Sequence, residues 1–404
     1  MSGRTHWGAA AACLLAMACS DSAGGGTDTA LDTIADDTID VASSTDTGTD
    51  ILDSMVADSV EETGADTPSD TTPMITEFEA LVGRYNLLET VAGLGRERDK
   101  SVNGWLSAYE GGAANAAELS RPHMAMGDLA GNIYIADKDA HAVRMVSPLG
   151  VITTVAGTSV VGDDGDTAGP ASMRRLSSPN GLYVLPSGVF FVLDLGNGKV
   201  RRVGTDGTMS THFTVSTGVS TGRGLWVAAD ESLAYVASGT QVLRWRSGVG
   251  VDTLAGGFSS LGNLDVDPAG RLVVTDRGAS QVYRLSATGM RTAIAGNGQE
   301  TGGNSGEPAL SIALLGVRGV FFRPDGSYFL ATHAGSQVWF VDTAGIAWRF
   351  VDGRDDHSHA GDGQFFQNPG AKISEARAVT VDPAGNVIIT ENDYGYIRVV
   401  RLKE

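Results

Sequence analysis

Cysteine is almost absent. Both copies, Cys13 and Cys19, fall within the first 19 of 404 residues. Everything downstream must fold without disulfides, thiol chemistry or a cysteine-based metal site. No apolar run is long enough to span a bilayer; the one near the N-terminus, between Arg4 and Cys19, is too short. A basic patch and an RNA-reading aromatic motif are both missing, which argues against nucleic acid as a partner. There is no Gly-x-Ser-x-Gly nucleophile turn and no phosphate-cradling glycine loop ahead of a helix.

Positive charge is missing from one long stretch. Of the 48 acidic residues, 16 lie between Ser20 and Ala80, where there is no Lys or Arg, leaving 32 acids against 29 bases elsewhere. The formal charge of −19 therefore belongs mostly to this segment. Its Asp/Thr-rich composition has too few apolar groups to fold and repels itself, so residues 20–79 read as a disordered linker. As a flexible coil it would reach about 40 Å. A spacer is the plain reading; a calcium-sequestering or O-glycosylated stalk is the sharper one.

What is present is a repeat. Arg121 to Gly157 holds four short apolar runs, MAM, NIYIAD, AVRMV and VITTVAG, separated by turn residues. Such runs, punctuated by Gly, Pro, Asp and Asn, are antiparallel strands joined by tight turns. The unit recurs from Ser178, Arg223, Asn263, Arg318 and Arg377, making six. A four-strand unit repeated in this way is the signature of a β-propeller, in which each blade covers its neighbours' faces. The fold class expected is all-β, a six-bladed β-propeller over residues 80–404. Six units sharing the residues after 84 average about 53 each, longer than the roughly 40–50 usual for such repeats, so several carry insertions.

The sixth unit stops at Glu404 after its third strand, while an orphan strand, YNLLETVAG, sits at Tyr85–Gly93. That strand matches VITTVAG and is expected to complete the last blade, closing the ring and removing free edges.

The repeats resemble NHL repeats, of the bacterial secreted or lipoprotein type. The first unit keeps Pro122, Gly131, Asn132, Tyr134, Ala136, Asp137, His141 and Arg144 of that pattern. The second keeps Pro179, Gly181, Gly188, Asp194, Asn197 and Val200; the fourth and sixth keep Val-Asp-Pro-Ala-Gly at 266–270 and 381–385. The third departs most, with Glu231-Ser232 where the glycine turn belongs. Segments between units, such as GDTAGPASMRRL and GGNSGEPALSIALL, resemble the inter-blade loops of the same family. At the N-terminus, residues 1–19 end in Leu15-Ala16-Met17-Ala18-Cys19, which resembles the lipobox of a lipoprotein signal peptide. Leucine stands one place earlier than is usual. The resemblance implies lipidation at Cys19, export, and a membrane contact through the anchor alone.

Chain order then says which face carries function. Connections between blades and the turns after the NIYIAD-type strands share one face; the short Asp-Pro-Ala-Gly turns occupy the other. The long segments, roughly 94–118, 158–175, 297–314 and 354–373, fall on the first face and are expected to wall a funnel open toward blades three and four. One residue per innermost strand should point into the channel there: His123, Asn180, Arg223, Gly262, Arg318 and Arg377. Three arginines, a histidine and an asparagine make a receptor for carboxylate or phosphate. The competing role for the arginines is pairing with Asp137, Asp194, Asp276 and Glu391 one strand over.

The expected function is a binding or interaction module, monomeric and without cofactor, whose funnel face takes a protein, peptide, glycan or small anionic ligand: His123, Asn180, Arg223, Arg318 and Arg377 are the ligand-binding candidates. The alternative is an extracytoplasmic metal-dependent lyase or hydrolase acting on an anionic substrate. It follows from resemblance to a peptide-amidating lyase of this fold, which holds zinc by histidines from several blades. Here the candidates would be His123, His141, His212, His333, His357 and His359, and zinc needs three or four ligands. Gly162-Asp163-Asp164-Gly165-Asp166 offers oxygens to calcium but lacks the closing glutamate of a known loop. No metal residue and no catalytic residue is assigned.

Overall fold

The computed structural model describes residues 75–95, 102–221, 223–353 and 357–403. The leader, Cys19 and the acidic segment up to residue 74 lie outside the described residues. Six antiparallel sheets are each built on a four-strand meander, the first being Pro122–Gly127, Ile133–Asp137, Ala142–Val146 and Ile152–Ala156. The other innermost strands are Pro179–Val184, Leu225–Val227, Leu261–Val266, Val317–Phe322 and Ala376–Val381. Each innermost strand touches the next, and the sixth touches the first. The result is a closed six-bladed β-propeller around a central channel.

The second strand of a blade is covered on both faces by neighbouring blades. It therefore reads as a continuous apolar run rather than an alternation: IYIAD, FFVLD, LVVTD, YFLAT and VIITE are buried at every position. Most of these strands end in a buried acid. Asp137 accepts the Ser120 amide, Asp194 the Ser177 amide (2.7 Å) and Glu391 the Ser374 amide (2.9 Å), while Asp276 takes the amides of Ser259 and Ser260. Each carboxylate thus ties down the backbone that leads into its own blade, satisfying amides that no strand partner reaches.

The ring is sealed by pairing the first described strand with the last. Tyr85–Ala92 is the outer strand of blade 6, antiparallel to Tyr396–Leu402, with Tyr85 opposite Leu402 and Leu88 opposite Val400. The Tyr85 hydroxyl donates to the Gly385 carbonyl at 2.8 Å. Order begins before residue 80: Glu77–Val82 is an α-helix whose Thr76 and Glu79 form a capping box. Phe78 of that helix stacks on Trp348 at 5.2 Å between ring centres. The last residues assigned to the linker are therefore part of the wheel.

The long inter-blade segments behave differently from the expected walls. Gly169–Pro170, Glu307–Pro308 and Gln364–Phe365 run out to the rim and pair with the outermost strands of blades 2, 5 and 6 as a fifth strand. A single bridge, Ala113 to Val151, does the same on blade 1. Blades 3 and 4, whose lead-in segments are short, have no such strand among the described residues. The recurring Gly-Pro-Ala-x-x-x-x-Leu and Glu-Pro-Ala-Leu motifs are explained: the Gly-Pro or Glu-Pro step pairs, then Ala171, Leu176, Ala309 and Leu314 turn into the core. These excursions cover open sheet edges at the rim.

Candidate functional site: the arginine mouth of the channel

Five of the six innermost strands are broken where a ring residue was expected. The pairing register slips between Pro122 and Met124, Pro179 and Gly181, Leu261 and Leu264, Val317 and Gly319, and Ala376 and Ala378. A β-bulge leaves one residue unpaired and re-aims its side chain. The residues so released are His123, Asn180, Gly262 with Asn263, Arg318 and Arg377. In blade 3, Arg223 stands just ahead of the first paired residue, Leu225. Small residues follow in four blades because neighbouring inner strands nearly touch: a Cβ on Gly181 would sit 2.8 Å from the Arg223 carbonyl oxygen, and one on Gly319 3.0 Å from the Val379 nitrogen.

The released side chains meet. Arg377, only 5% exposed, donates from Nη1 to His123 Nε2 at 2.9 Å and reaches His333 Nε2 from Nη2 at 3.5 Å. His123 in turn donates from Nδ1 to Asn180 Oδ1. A histidine that accepts at one nitrogen and donates at the other is neutral. Burial, then the charges of Arg377 and Arg223, hold its pKa well below the usual value. Blades 6, 1 and 2 are thereby linked across the mouth.

Arg223 and Arg318 differ. Nε and Nη1 of both are buried and, among the described residues, have no hydrogen-bond partner, and the same holds for Nε of Arg377. Burial, Arg318, Arg277 and Arg121 press the Arg223 pKa down to about 9; burial, Arg277 and, more weakly, Arg121 bring Arg318 to about 10. A guanidinium does not give up its proton in such a setting. The depression measures how poorly these charges are compensated. The acid beside them is Asp393, half-exposed and 3.7 Å from His333. Although burial pushes its carboxyl up, His333, Arg377 and Arg121 hold it down at about 2.

The proposed pairing with strand-two acids does not occur. Asp137 is taken by Arg144 (3.2 Å), Asp194 by Arg201 (3.0 Å) and Glu391 by Arg398 (3.1 Å), each seven residues on in its own blade. Asp276 is occupied by backbone amides. The channel arginines are left with unfilled donors. A cleft of about 780 Å³ on the outer flank, lined by Glu89, Pro148, Asp382 and Arg401, gathers no comparable group; its Arg401 is matched by Glu89 at 2.9 Å.

No family model and no curated protein matches the chain. Solved structures do. A protein of unknown function from Bacteroides thetaiotaomicron is 14% identical, covering 79% of this chain and 76% of its own, with a TM-score of 0.63. An auxiliary nutrient binding protein from Bacteroides ovatus is 12% identical over 79% and 78%, TM-score 0.58. A streptogramin B lyase is 13% identical over 74% and 96%, TM-score 0.51. At these identities the likeness is one of fold.

The histidines are housed separately. His123 and His333 both face Arg377. His141 Nδ1 accepts the Ser178 amide at 3.1 Å, joining blade 1 to blade 2. His357 meets Ser336 and Glu375, His359 meets Glu391 and stacks on Tyr396, and His212 packs against Trp245. Among the described residues, no three His, Cys, Asp or Glu are grouped to hold a metal ion. The acids of the 162–166 turn are already partnered: Asp163 and Asp166 by Lys199, with Arg201 also on Asp163, and Asp164 by Arg175. Sequence reasoning missed Asp393, Arg121 and Arg277, which sit in turns with no repeat signature. It also missed Asn263, which occupies a position that four other blades give to Gly or Ala.

Proposed function

We propose that the chain is an exported, lipid-anchored propeller of the NHL type that captures an anionic ligand at the arginine mouth. The observation that carries this reading is the set of buried guanidinium N–H groups on Arg223, Arg318 and Arg377 without acceptors. Buried donors left unmade cost about 1–3 kcal/mol each, and a carboxylate, phosphate or sulfate would satisfy several at once with charge-assisted bonds. Arg377, braced by His123 and His333, is pre-set; Arg223 and Arg318 are free to close on the ligand. Fold likeness extends to nutrient-binding proteins and to a lyase alike. The binding reading is preferred because both His123 nitrogens are engaged and burial, more than Arg318 and Arg377, depresses His333 to about 3. Neither is set up to take a proton near neutral pH.

The test is calorimetric titration of the intact chain with phosphate, sulfate, citrate and a carboxylate-terminated peptide, beside the triple variant Arg223→Ala, Arg318→Ala, Arg377→Ala. Binding by the native chain and its loss in the triple variant is expected. Equal binding by both would remove the mouth as the site.

A further inference from the structure

The channel has a second end, and its chemistry is the reverse of the first. Below the bulges, a lower tier of inner-strand residues lines a chamber of about 190 Å³: Met126, Tyr183, Trp226, Asp265, Phe321 and Thr380. The chamber shares Met126, Tyr183 and Phe321 with a vestibule of about 710 Å³ that opens between the Pro186, Pro268, Pro324 and Pro383 turns. Between chamber and arginine mouth, Asn263 donates to the Met124 sulfur across the channel at 3.8 Å.

One carboxylate faces this aromatic chamber. Asp265 Oδ2 accepts the Phe322 amide of the next blade at 2.7 Å, and Oδ1 accepts the Val266 amide at 2.8 Å. Each oxygen keeps a further lone pair. Among the described residues, no lysine or arginine lines the chamber. Elsewhere in the wheel the buried acids of strand two are neutralised by an arginine or by amides alone within a sealed core. Here the acid is deep in the molecule yet borders open space.

We propose that the lower chamber binds a small organic ammonium ion with an aromatic or aliphatic body, its charge on Asp265 and its body between Trp226, Tyr183 and Phe321. Aromatic faces attract a cation, more strongly when water is excluded. A cavity of about 150 Å³ accepts a benzene ring, so the chamber suits one ring or a branched alkyl group, and the vestibule takes a longer tail. The arginine mouth would repel such a ligand, and this site is independent of that one.

Burial pushes the Asp265 carboxyl up to about 7; the Phe322 and Val266 amides oppose this and Asp267 adds to it. The other titratable groups around it are Tyr183, whose phenol burial keeps protonated, and Arg84, Tyr85, Arg323 and Asp382 in the vestibule. The ammonium needs the ionised acid. Affinity should therefore rise about tenfold between pH 6 and pH 8, since ionisation is about one-tenth complete a unit below the pKa and nine-tenths a unit above.

The experiment is calorimetric titration of the intact chain with phenethylammonium chloride, 2-phenylethanol and phenylacetate at pH 6 and pH 8. The ammonium ion is expected to bind at least tenfold more tightly than the alcohol, with the pH dependence above. Asp265→Asn, which keeps an acceptor for one amide, should lose at least tenfold and the pH dependence with it. Trp226→Leu should weaken binding severalfold, and supplies the reading should Asp265→Asn fail to fold. The triple arginine variant should bind the ammonium unchanged, and Asp265→Asn should bind phosphate unchanged. Equal binding of alcohol and ammonium, an unaffected Asp265→Asn, loss in the triple variant, or no heat at 10 mM ammonium would each overturn the assignment.

Discussion

Replacing Arg318 by methionine should make the ligand-free protein more stable. Among the described residues its Nε and Nη1 are buried without acceptors, and its pKa stands at about 10 against an ordinary 12.5. A depression of that size corresponds to about 3 kcal/mol by which the fold disfavours the charge. Methionine keeps the apolar stem and removes the charge, and replacements of this kind at buried ionic groups gain roughly 1–4 kcal/mol. The control is Arg144→Met. Arg144 is fully buried, bonded to Asp137 at 3.2 Å and Ser159 at 3.0 Å, and lies 3.7 Å from the centre of the Trp105 ring. Its removal strands the Asp137 carboxylate and should cost about 3–5 kcal/mol. Urea denaturation of both variants, with and without saturating phosphate, reads the two terms apart. The same chemical change is expected to raise stability at 318 and lower it at 144. Phosphate, at a hundredfold over its Kd, should add about 2.7 kcal/mol to the native chain and much less to Arg318→Met. If Arg318→Met destabilises as Arg144→Met does, the guanidinium has a partner and the idea of an unfilled receptor is wrong.

Three further outcomes follow from the wheel. His123 and His333 have native pKa values below the ordinary 6.5, and His333 lies at about 3; between those limits the unfolded chain binds more protons, so stability rises with pH up to 6.5 by about 1.4 kcal/mol per unit for each fully shifted histidine. Guanidinium melts at pH 4, 5, 6 and 7 check the slope, and His333→Gln should reduce it. Deleting residues 75–93 removes the strand opposite Tyr396–Leu402 and leaves blade 6 with an open edge; loss of a cooperative melt and gain of aggregates in light scattering are expected. Cys19→Ala should release the protein from the membrane fraction, and an unchanged distribution would dismiss the lipid anchor.

The blades were legible because their signal is periodic: six copies of apolar runs between Gly, Pro and Asp turns leave few other arrangements. Closure was legible because Tyr85–Gly93 has the outer-strand pattern and blade 6 lacks one. The ring positions could be found by aligning copies, yet the reason they face the channel could not, since a bulge is a register slip and leaves no residue signature. The partner of each strand-two acid was present as an arginine seven residues on, at Arg144, Arg201 and Arg398. It went unread because cross-strand distance depends on turn length. The helix at Glu77–Val82 was hidden in an acidic composition, although Thr76 and Glu79 have capping-box spacing. The lower chamber was illegible: Asp265 looks like any strand residue until its neighbours from other blades prove aromatic.

The seal between Tyr85–Ala92 and Tyr396–Leu402 also sets a timetable. The earliest-made strand must wait for the last-made one, so the loop to be closed is nearly the whole wheel, and assembly dominated by such distant contacts is slow. Until Tyr396–Leu402 has been made, Tyr85–Ala92 has no inner neighbour in blade 6 and keeps an unpaired ladder open to other chains.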